Sequence, residues 1–310
     1  MKVIYNIDNW DEEAVVATIG FFDGVHPGHR YLLGEMKKLA EKHNLPSTVI
    51  TFSTHPRVVL HSDYQPKLLN SFDEKIDLLA KTGVDYVVMM DFTPEMATLT
   101  ARDFITDILA KKLNVKKLLI GYDHRFGFQR VEGFEQYVIY GNECGMEVVK
   151  ASSYSEKGQA ISSSTVRNLI SRGDVASAAR LLGYSYHLKG HIVDGRKVGR
   201  SIGFPTANVA VSEKAKVIPY NGSYAVRLIF DDKQYNGMLY IGSRPTLDNG
   251  DDVSIETNIF DFSDDIYGKN VTVEFIDFIR EDMKFDSLAE LTEQMRIDKI
   301  KALEILGEEK

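Results

Sequence analysis

The chain has too few cysteines and too few long apolar runs for several common classes of protein. Its 310 residues include one cysteine, Cys144, which cannot form an internal disulfide and has no companion to complete a zinc site. No apolar run approaches the length of a transmembrane helix, and the first residues are too short and too polar for a secretory core. The sequence therefore predicts a cytoplasmic protein that has no membrane partner.

The chain also lacks an excess of positive charge. Its formal net charge of −8 argues against a nucleic-acid partner bound by bulk electrostatics, but leaves small anionic ligands open. Its composition, with 44% hydrophobic and 26% charged residues, argues against a disordered or fibrous class. No internal repeat or low-complexity segment is apparent. At 310 residues, the chain is expected to form two globular domains.

The first half alternates strand-like and helix-like segments, a pattern typical of a parallel α/β sheet. Open sheets of this kind bind ligands beyond the carboxyl ends of their strands. We therefore expect function in the loops after the first, second and fourth predicted strands. The predicted strands cover residues 14–19, 47–52, 86–90, 116–120 and 146–151, and the predicted helices cover residues 27–43, 71–81, 100–113 and 132–144.

Beyond Gly183 the pattern changes to strands joined by turns, which predicts an antiparallel barrel or sandwich. Two short predicted helices, 164–171 and 175–182, precede this change, so the predicted domains are residues 1–183 and 184–310. A terminal helix opens with a capping box formed by Ser287 and Glu290. The predicted strands cover residues 224–230, 236–241, 253–260 and 271–278. The apolar stripe of the terminal helix is predicted to include Leu288, Leu291, Met295, Ile300 and Leu303.

The most informative segment runs from Thr18 to Arg30 and reads TIGFFDGVHPGHR. It leads from an apolar strand through glycines into a helix, whose free N–H groups and dipole favour a phosphate. His26 and His29 share one face of that helix, and no covalent nucleophile is obvious. This favours transfer onto a phosphate by charge stabilisation. A capping histidine beside a surface histidine is the alternative, against which the glycines and Asp23 argue.

Three further segments add candidate residues to the first domain. After the second predicted strand, Pro56 biases His55 toward an extended conformation, with a simple loop as the alternative. Residues 121–127 combine two glycines with an acid, a base and an aromatic ring. Residues 161–167 place hydroxyls at a predicted helix start and an arginine one turn later, with simple capping as the alternative. These candidates are His55, Pro56, Asp123, Arg125, Phe126, Ser163, Ser164 and Arg167.

In the second domain, residues 195–208 place glycines, three cations, a threonine and an asparagine in one loop that leads into a strand. The glycines, Gly195, Gly199 and Gly203, allow close approach of the backbone to phosphate. Thr206 and Asn208 point the same way in an extended chain and offer neutral oxygens to Mg²⁺. The alternative is a glycine-rich turn with solvated charges.

A kinase that acts on an alcohol needs a group that accepts or orients the hydroxyl proton. Alternation in the predicted strand 253–260 places Glu256, Asn258 and Phe260 on one face. Glu256 is the candidate carboxylate. An exposed strand glutamate without a catalytic role is the alternative.

Taken together, these segments resemble the bacterial bifunctional riboflavin kinase/FMN adenylyltransferases. Residues 20–29, GFFDGVHPGH, are also similar to the His-x-Gly-His nucleotidylyltransferases. Residues 203–208, 236–246 and 280–288 occur in the order of the riboflavin kinase module. The resemblance implies an N-terminal Rossmann-like parallel-sheet nucleotidylyltransferase domain, followed by an antiparallel β-barrel kinase domain with a terminal helix. It also implies ATP, riboflavin and FMN as the small-molecule substrates, FAD as the product, and Mg²⁺ in both steps.

The resemblance also implies roles for individual residues. It assigns His26, His29, Arg167 and Glu256 to catalysis, with Glu256 as the base toward the ribityl 5′-hydroxyl. Mg²⁺ falls to Thr206 and Asn208. The residues assigned to ATP are Gly20, Phe21, Asp23, Gly24, Ser163, Ser164, Gly195, Gly199, Gly203 and Thr206. The residues assigned to flavin are His55, Pro56, Asp123, Arg125, Phe126, Arg280 and Phe285. The chain departs from the family's common residues at Thr54, His124, Ser164 and Asn258.

Two other functions are open from the residues alone. One is nucleotidyl transfer to a different acceptor, against which the GFPTAN loop and Glu256 argue. The other is flavin binding without turnover, against which the complete set of candidate catalytic residues argues.

Overall fold

The structure is a computed structural model that describes residues 1–11, 14–60, 67–154, 161–194, 203–243 and 253–307. Tertiary contacts divide the chain into two units, Met1–Ser162 and Ser163–Lys310. The boundary predicted from the sequence, between residues 183 and 184, falls after two short helices that this division groups with the second unit. Each unit is described by itself below.

A six-stranded sheet forms the centre of the first unit, and all its strand pairs are parallel. The strand order is β1-β4-β3-β2-β5-β6, which confirms the predicted parallel sheet. The loops that follow β2, β3 and β5 therefore leave neighbouring strands at the same edge, where ligands are expected. The strands are β1 Lys2–Ile4, β2 Val15–Ile19, β3 Ser47–Phe52, β4 Tyr86–Met90, β5 Val115–Ile120 and β6 Glu147–Lys150.

Helices cover both faces of this sheet. Alternate residues of the central strands belong to two different apolar clusters: Val15 and Ala17 pack in one, and Val16 in the other. The helices are α1 Pro27–His43, α2 Pro56–Leu60, α3 Phe72–Ala80, α4 Pro94–Thr98, α5 Ala101–Asp103 and α6 Phe134–Glu143.

The predicted helix over residues 100–113 has a different form in the structure. The short α5 is followed by a π-helix, Phe104–Lys112, in which each hydrogen bond spans one more residue than in an α-helix. At its end the N–H of Leu113 donates to the carbonyl of Ile108 at 3.0 Å. The apolar spacing of the segment does not distinguish these two helix types. None of the helices in the described ranges combines the length and apolar character that crossing a bilayer requires.

A closed antiparallel barrel forms most of the second unit, with strand order β10-β11-β8-β7-β12-β9. Of the two predicted alternatives, the barrel is therefore the observed one. Its strands are β7 His187–Val193, β8 Ala207–Val211, β9 Gly222–Phe230, β10 Lys233–Ser243, β11 Val253–Ile259 and β12 Asn270–Glu281. The helices are α7 Ser163–Ser171, α8 Val175–Leu182 and the terminal α9 Leu288–Leu306.

The N-terminus of α9 forms half of the predicted capping box. Ser287 accepts a hydrogen bond from the N–H of Glu290 at 3.2 Å. The Glu290 carboxylate, however, accepts from the N–H of Asp286 at 3.2 Å instead of from Ser287. The helix start was therefore predicted correctly, while the reciprocal bond reaches one residue further back.

The predicted apolar stripe of α9 is wrong at two positions. Leu288 and Ile300 are 58% and 40% exposed, whereas the buried residues of the helix are Asp298, Ala302 and Leu306. The buried face contains a charged residue, so a stripe drawn through apolar residues alone is rotated away from it. Met295 and Leu303 do pack on the barrel, in a cluster that includes Met238 and Phe260.

Candidate active site

The loop between β2 and α1 is held in an unusual backbone conformation. Phe22, Gly24 and Val25 have φ angles of 55°, 85° and 34°, the left-handed region that costs a non-glycine residue roughly 1–3 kcal/mol. The buried Asp23 carboxylate anchors this loop, since it accepts hydrogen bonds from the N–H groups of Leu69 at 3.0 Å and Asn70 at 3.3 Å. Asp23 is therefore placed to fix the shape of the loop.

The two predicted histidines lie together at the start of α1. His26 is the N-cap residue, and its Nδ1 accepts a hydrogen bond from the N–H of His29 at 3.4 Å. The two imidazoles stack with their centroids 3.7 Å apart, and the His29 ring meets Phe22 edge-on at 5.3 Å. His26 therefore does cap α1, as the alternative interpretation predicted. His29, however, stacks on the His26 ring and is not a separate surface residue. Since Nδ1 of neutral His26 is an acceptor, its proton resides on Nε2.

Both histidines are neutral at physiological pH. Burial, with a smaller contribution from the nearby Arg30, lowers the pKa of His26 to about 4. Burial also lowers the pKa of His29 well below its ordinary value, with smaller contributions from His26 and His124. Each ring therefore carries one N–H donor without a net charge. The dipole of α1 and the nearby Arg30 supply the positive potential at this site.

Lys75 of α3 is a functional candidate that sequence reasoning missed. It is 4% exposed, and its Nζ donates to the carbonyl of Phe52 at 2.9 Å and to that of Phe21 at 3.4 Å. Nζ also lies 4.3 Å from the centroid of the Phe21 ring. Burial lowers the pKa of Lys75 to about 8, which Asp23 opposes. The sequence does contain one signal of this burial, because the helical spacing places Lys75 on the apolar face of α3 with Phe72, Ile76 and Leu79.

An aromatic cavity of 490 Å³ opens at the carboxyl edge of the sheet. The His55 ring meets Phe21 edge-on at 4.6 Å, and Phe126 stacks on Tyr137 at 4.3 Å. Such a site suits a flat aromatic ligand that carries negative charge. Six phenylalanines line it: Phe21, Phe52, Phe92, Phe104, Phe126 and Phe128. The polar lining residues are His55, Arg57, His124, Arg125, Gln129 and Arg130.

The structure brings some of the predicted flavin residues together and leaves others apart. His55, Arg125 and Phe126 line the cavity, whereas Asp123 is exposed and does not. Pro56 is the first residue of α2, and its side chain lies outside the described part of the structure. Sequence reasoning missed Arg57 and Arg130, which lie within a few residues of predicted segments, and four of the phenylalanines, which come from several separate parts of the chain.

A second cavity, of 280 Å³, lies between barrel strands and α9 in the second unit. Glu256 lines it, and its Oε1 accepts a hydrogen bond from the Ser254 hydroxyl at 3.1 Å. In the barrel Glu256 pairs with Asn208 on β8 and with Tyr240 on β10, so these side chains share a face. Asn258 lines the same cavity and donates from Nδ2 to the carbonyl of Pro205 at 2.7 Å.

The lining of this cavity also contains a buried ion pair. Arg280 Nε donates to both carboxylate oxygens of Asp298, at 3.0 and 2.9 Å. The Arg280 guanidinium also lies 5.6 Å from the centroid of the Phe285 ring, and both residues line the cavity. In the same lining, the Tyr240 hydroxyl donates to Asp282 at 2.7 Å, and burial raises the pKa of Tyr240.

Thr206 lies between this cavity and a third one of 610 Å³. Gly203 precedes it with a φ of 82°, and Asn208 is buried. Gly195 and Gly199 lie outside the described residues. Ser163 begins α7 of the second unit, Ser164 is exposed, and Arg167 follows within the same helix. No group of metal-ligating His, Cys, Asp and Glu side chains occurs in the part of the chain that the structure describes.

Comparisons with known proteins agree with this two-part organisation. The FAD synthetase family model matches residues 8–165, and the riboflavin kinase family model matches residues 182–306. A bifunctional riboflavin kinase/FMN adenylyltransferase of Escherichia coli strain K12 is 38% identical, over 99% of this chain and 97% of the relative. The enzyme of the same description from Bacillus subtilis strain 168 is 35% identical, over 93% and 91%.

A solved structure has the same fold along nearly the whole chain. It is a crystal structure described as a macrolide-efflux protein from Streptococcus pneumoniae, with a TM-score of 0.87 and 32% identity, covering 96% of this chain and 97% of that one. The family models and the full-length relatives together identify the family. This chain belongs to the bifunctional riboflavin kinase/FMN adenylyltransferases.

Proposed function

We propose that the protein makes FAD from riboflavin in two ATP-dependent steps. Residues 184–310 transfer the terminal phosphoryl group of ATP to riboflavin, giving FMN and ADP. Residues 1–183 then transfer the adenylyl group of a second ATP to FMN, giving FAD and pyrophosphate. The observation that carries the proposal is the aromatic cavity on the same sheet edge as the histidine pair, in a chain of this family. ATP, riboflavin and FMN are small cytoplasmic molecules, and no nucleic acid or membrane takes part.

In the adenylyl transfer, an oxygen of the FMN phosphate attacks the α-phosphorus of ATP and pyrophosphate leaves. The flavin ring occupies the aromatic cavity, and the reacting phosphates lie at the N-terminus of α1. His26 and His29 donate hydrogen bonds to the oxygens that gain charge in the transition state. Gly20, Phe21 and Gly24 shape the ATP loop. Roles for Ser163, Ser164 and Arg167 on ATP remain predictions from the resemblance.

In the kinase step, Glu256 accepts the proton of the ribityl 5′-hydroxyl as that oxygen attacks the terminal phosphorus of ATP. The hydroxyl of Ser254 orients the carboxylate through the 3.1 Å hydrogen bond. Arg280 and Phe285 hold the flavin in the 280 Å³ cavity. Neutral oxygens of Thr206 and Asn208 suit a hard cation, and Mg²⁺ held there would neutralise charge on the ATP phosphates.

The proposal is tested by chromatography of riboflavin, FMN and FAD during incubation with ATP and Mg²⁺. The wild type should form FMN before FAD. Glu256→Gln should lower FMN formation roughly 10²–10⁴-fold and leave FAD formation from supplied FMN intact. Glu304→Gln, an exposed carboxylate of α9, is the matched control.

His29→Ala should have the opposite effect, lowering adenylyl transfer roughly 10²–10³-fold while riboflavin phosphorylation continues. His43→Ala, at the exposed end of the same helix, is its control. Riboflavin left untouched by the wild type would refute the kinase assignment, and supplied FMN left untouched would refute the transferase assignment.

A further inference from the structure

His124 is a third histidine near the pair at the start of α1, and the proposed mechanism does not use it. It closes a turn after β5, in which its N–H donates to the carbonyl of Gly121 at 3.0 Å. A Cβ added at Gly121 would lie 3.6 Å from both His124 Cβ and Leu32 Cδ2 of α1. The turn therefore packs directly against the first turns of α1, which carry His26 and His29.

The His124 ring combines an aromatic neighbour with a buried nitrogen that no described group satisfies. It lines the aromatic cavity, with its centroid 6.1 Å from that of Phe126. Its Nε2 is buried and has no hydrogen-bond partner among the described residues, and the same is true of His29 Nδ1. Leaving a buried polar atom without a partner costs roughly 1–3 kcal/mol. Two such atoms near each other indicate a site that a polar ligand group completes.

The electrostatics specify the kind of group. His124 and His29 are close enough for a charge on one to disfavour a charge on the other, and burial, together with the nearby Arg130, lowers the pKa of His124 to about 4. Both rings are therefore neutral donors before a ligand binds. A phosphate dianion supplies acceptor oxygens and negative charge, and it would favour protonation of any imidazole that it contacts.

We propose that His124 binds the phosphate of FMN and positions it for attack at the α1 N-terminus. The inference rests on the proposed adenylyl transfer. With the flavin ring among the phenylalanines, the ribityl chain must extend from the cavity toward His26 and His29, and His124 belongs to both regions. His124 thereby distinguishes FMN from flavins that lack a phosphate.

His124→Phe tests the proposal because it keeps an aromatic ring and removes both ring nitrogens. Adenylyl transfer is measured at varied FMN, with lumiflavin, a flavin ring without a ribityl phosphate, as a competitive inhibitor. The KM for FMN should rise roughly 10–100-fold, as expected for one lost hydrogen bond to a charged group. The Ki of lumiflavin and the rate of riboflavin phosphorylation should change less than about twofold. His124→Gln, which restores an N–H donor, should recover part of the loss, and His43→Phe is the control.

An unchanged KM for FMN would overturn the proposal. So would parallel increases in the KM for FMN and the Ki of lumiflavin, because they would indicate a deformed cavity. If the wild type makes no FAD from supplied FMN, the proposed function itself fails, and this inference fails with it. A working wild type with an unaffected His124→Phe variant would overturn the role of His124 alone.

Discussion

The buried Asp298 of α9 offers the sharpest test of what stabilises the kinase unit. Its carboxylate accepts two hydrogen bonds from Arg280 Nε, at 2.9 and 3.0 Å, one from Gln294 at 2.8 Å and one from Ser223 at 3.3 Å. Asp298→Asn keeps the size of the side chain but removes its charge and replaces one acceptor oxygen with an amide. Arg280 would then be a buried cation without its carboxylate.

The size of the effect follows from the burial of the pair. Removing one partner of a buried ion pair costs about 3–5 kcal/mol. The Arg280 side chain is 13% exposed, and its Nη1 also donates to the Glu281 carbonyl, so we expect a loss near the lower limit, about 3 kcal/mol. In a unit of this size that corresponds to a fall of roughly 6–12 °C in Tm. The KM for riboflavin should rise as well, because Asp298 holds Arg280 in the cavity wall.

Thermal unfolding of the full chain can separate the two units. Circular dichroism follows both, while the chain's one tryptophan, Trp10, reports on the first unit by fluorescence. Asp298→Asn should lower the transition of the barrel and leave that of Trp10 in place. Glu293→Gln is the control on the same helix, since its ion pair with Arg296 is exposed and worth less than about 1 kcal/mol. A barrel destabilised by less than about 1 kcal/mol would refute the reasoning.

Two further predictions concern the first unit. Burial holds the pKa of Lys75 near 8, below its ordinary 10.5, so charging Lys75 penalises the folded state. Wild-type stability should therefore rise by up to roughly 3 kcal/mol between about pH 8 and 10.5, and Lys75→Met should lack this rise in urea titrations followed by Trp10 fluorescence. An equal rise in both proteins would contradict the low pKa. Gly127→Ala should destabilise by roughly 3 kcal/mol and Gly145→Ala by roughly 1 kcal/mol, measured by the same fluorescence. Both glycines have positive φ, but only at Gly127 would a Cβ lie 2.6 Å from the nitrogen of Ala101, so equal losses would contradict a steric cause.

The elements that the sequence predicted well are those whose pattern is local. The apolar strand 47–52 and the helix from Pro27 to His43 have the predicted bounds. The three-residue strand β1 is too short to show a period. The burial of Asp298 could not be predicted from hydrophobicity, because Asp298 is charged and its partner Arg280 lies on the preceding strand. Closure of the barrel likewise depends on pairing between β9 and β12, which are not consecutive in the chain.

The same distinction between local patterns and non-local contacts applies to the candidate site residues. The spacing of His26 and His29 placed both rings on one face of a helix, and the structure stacks them. The aromatic cavity could not be predicted from the sequence, because its walls come from loops and strands brought together only by the strand order. Lys75 was missed for a different reason. A helical lysine is usually solvated, and its burial depends on carbonyl acceptors at the ends of two neighbouring strands.

The two proposed steps make opposite demands on acid–base chemistry, and the two sites differ accordingly. The phosphate of FMN is already anionic at neutral pH, so adenylyl transfer needs no base, and donors that stabilise charge are sufficient. The buried, neutral histidines at α1 provide such donors. The hydroxyl of riboflavin must lose its proton to react, and Glu256 supplies a carboxylate on the wall of the other cavity. A base at the first site would have no proton to remove, whereas the second site would lose most of its activity without one.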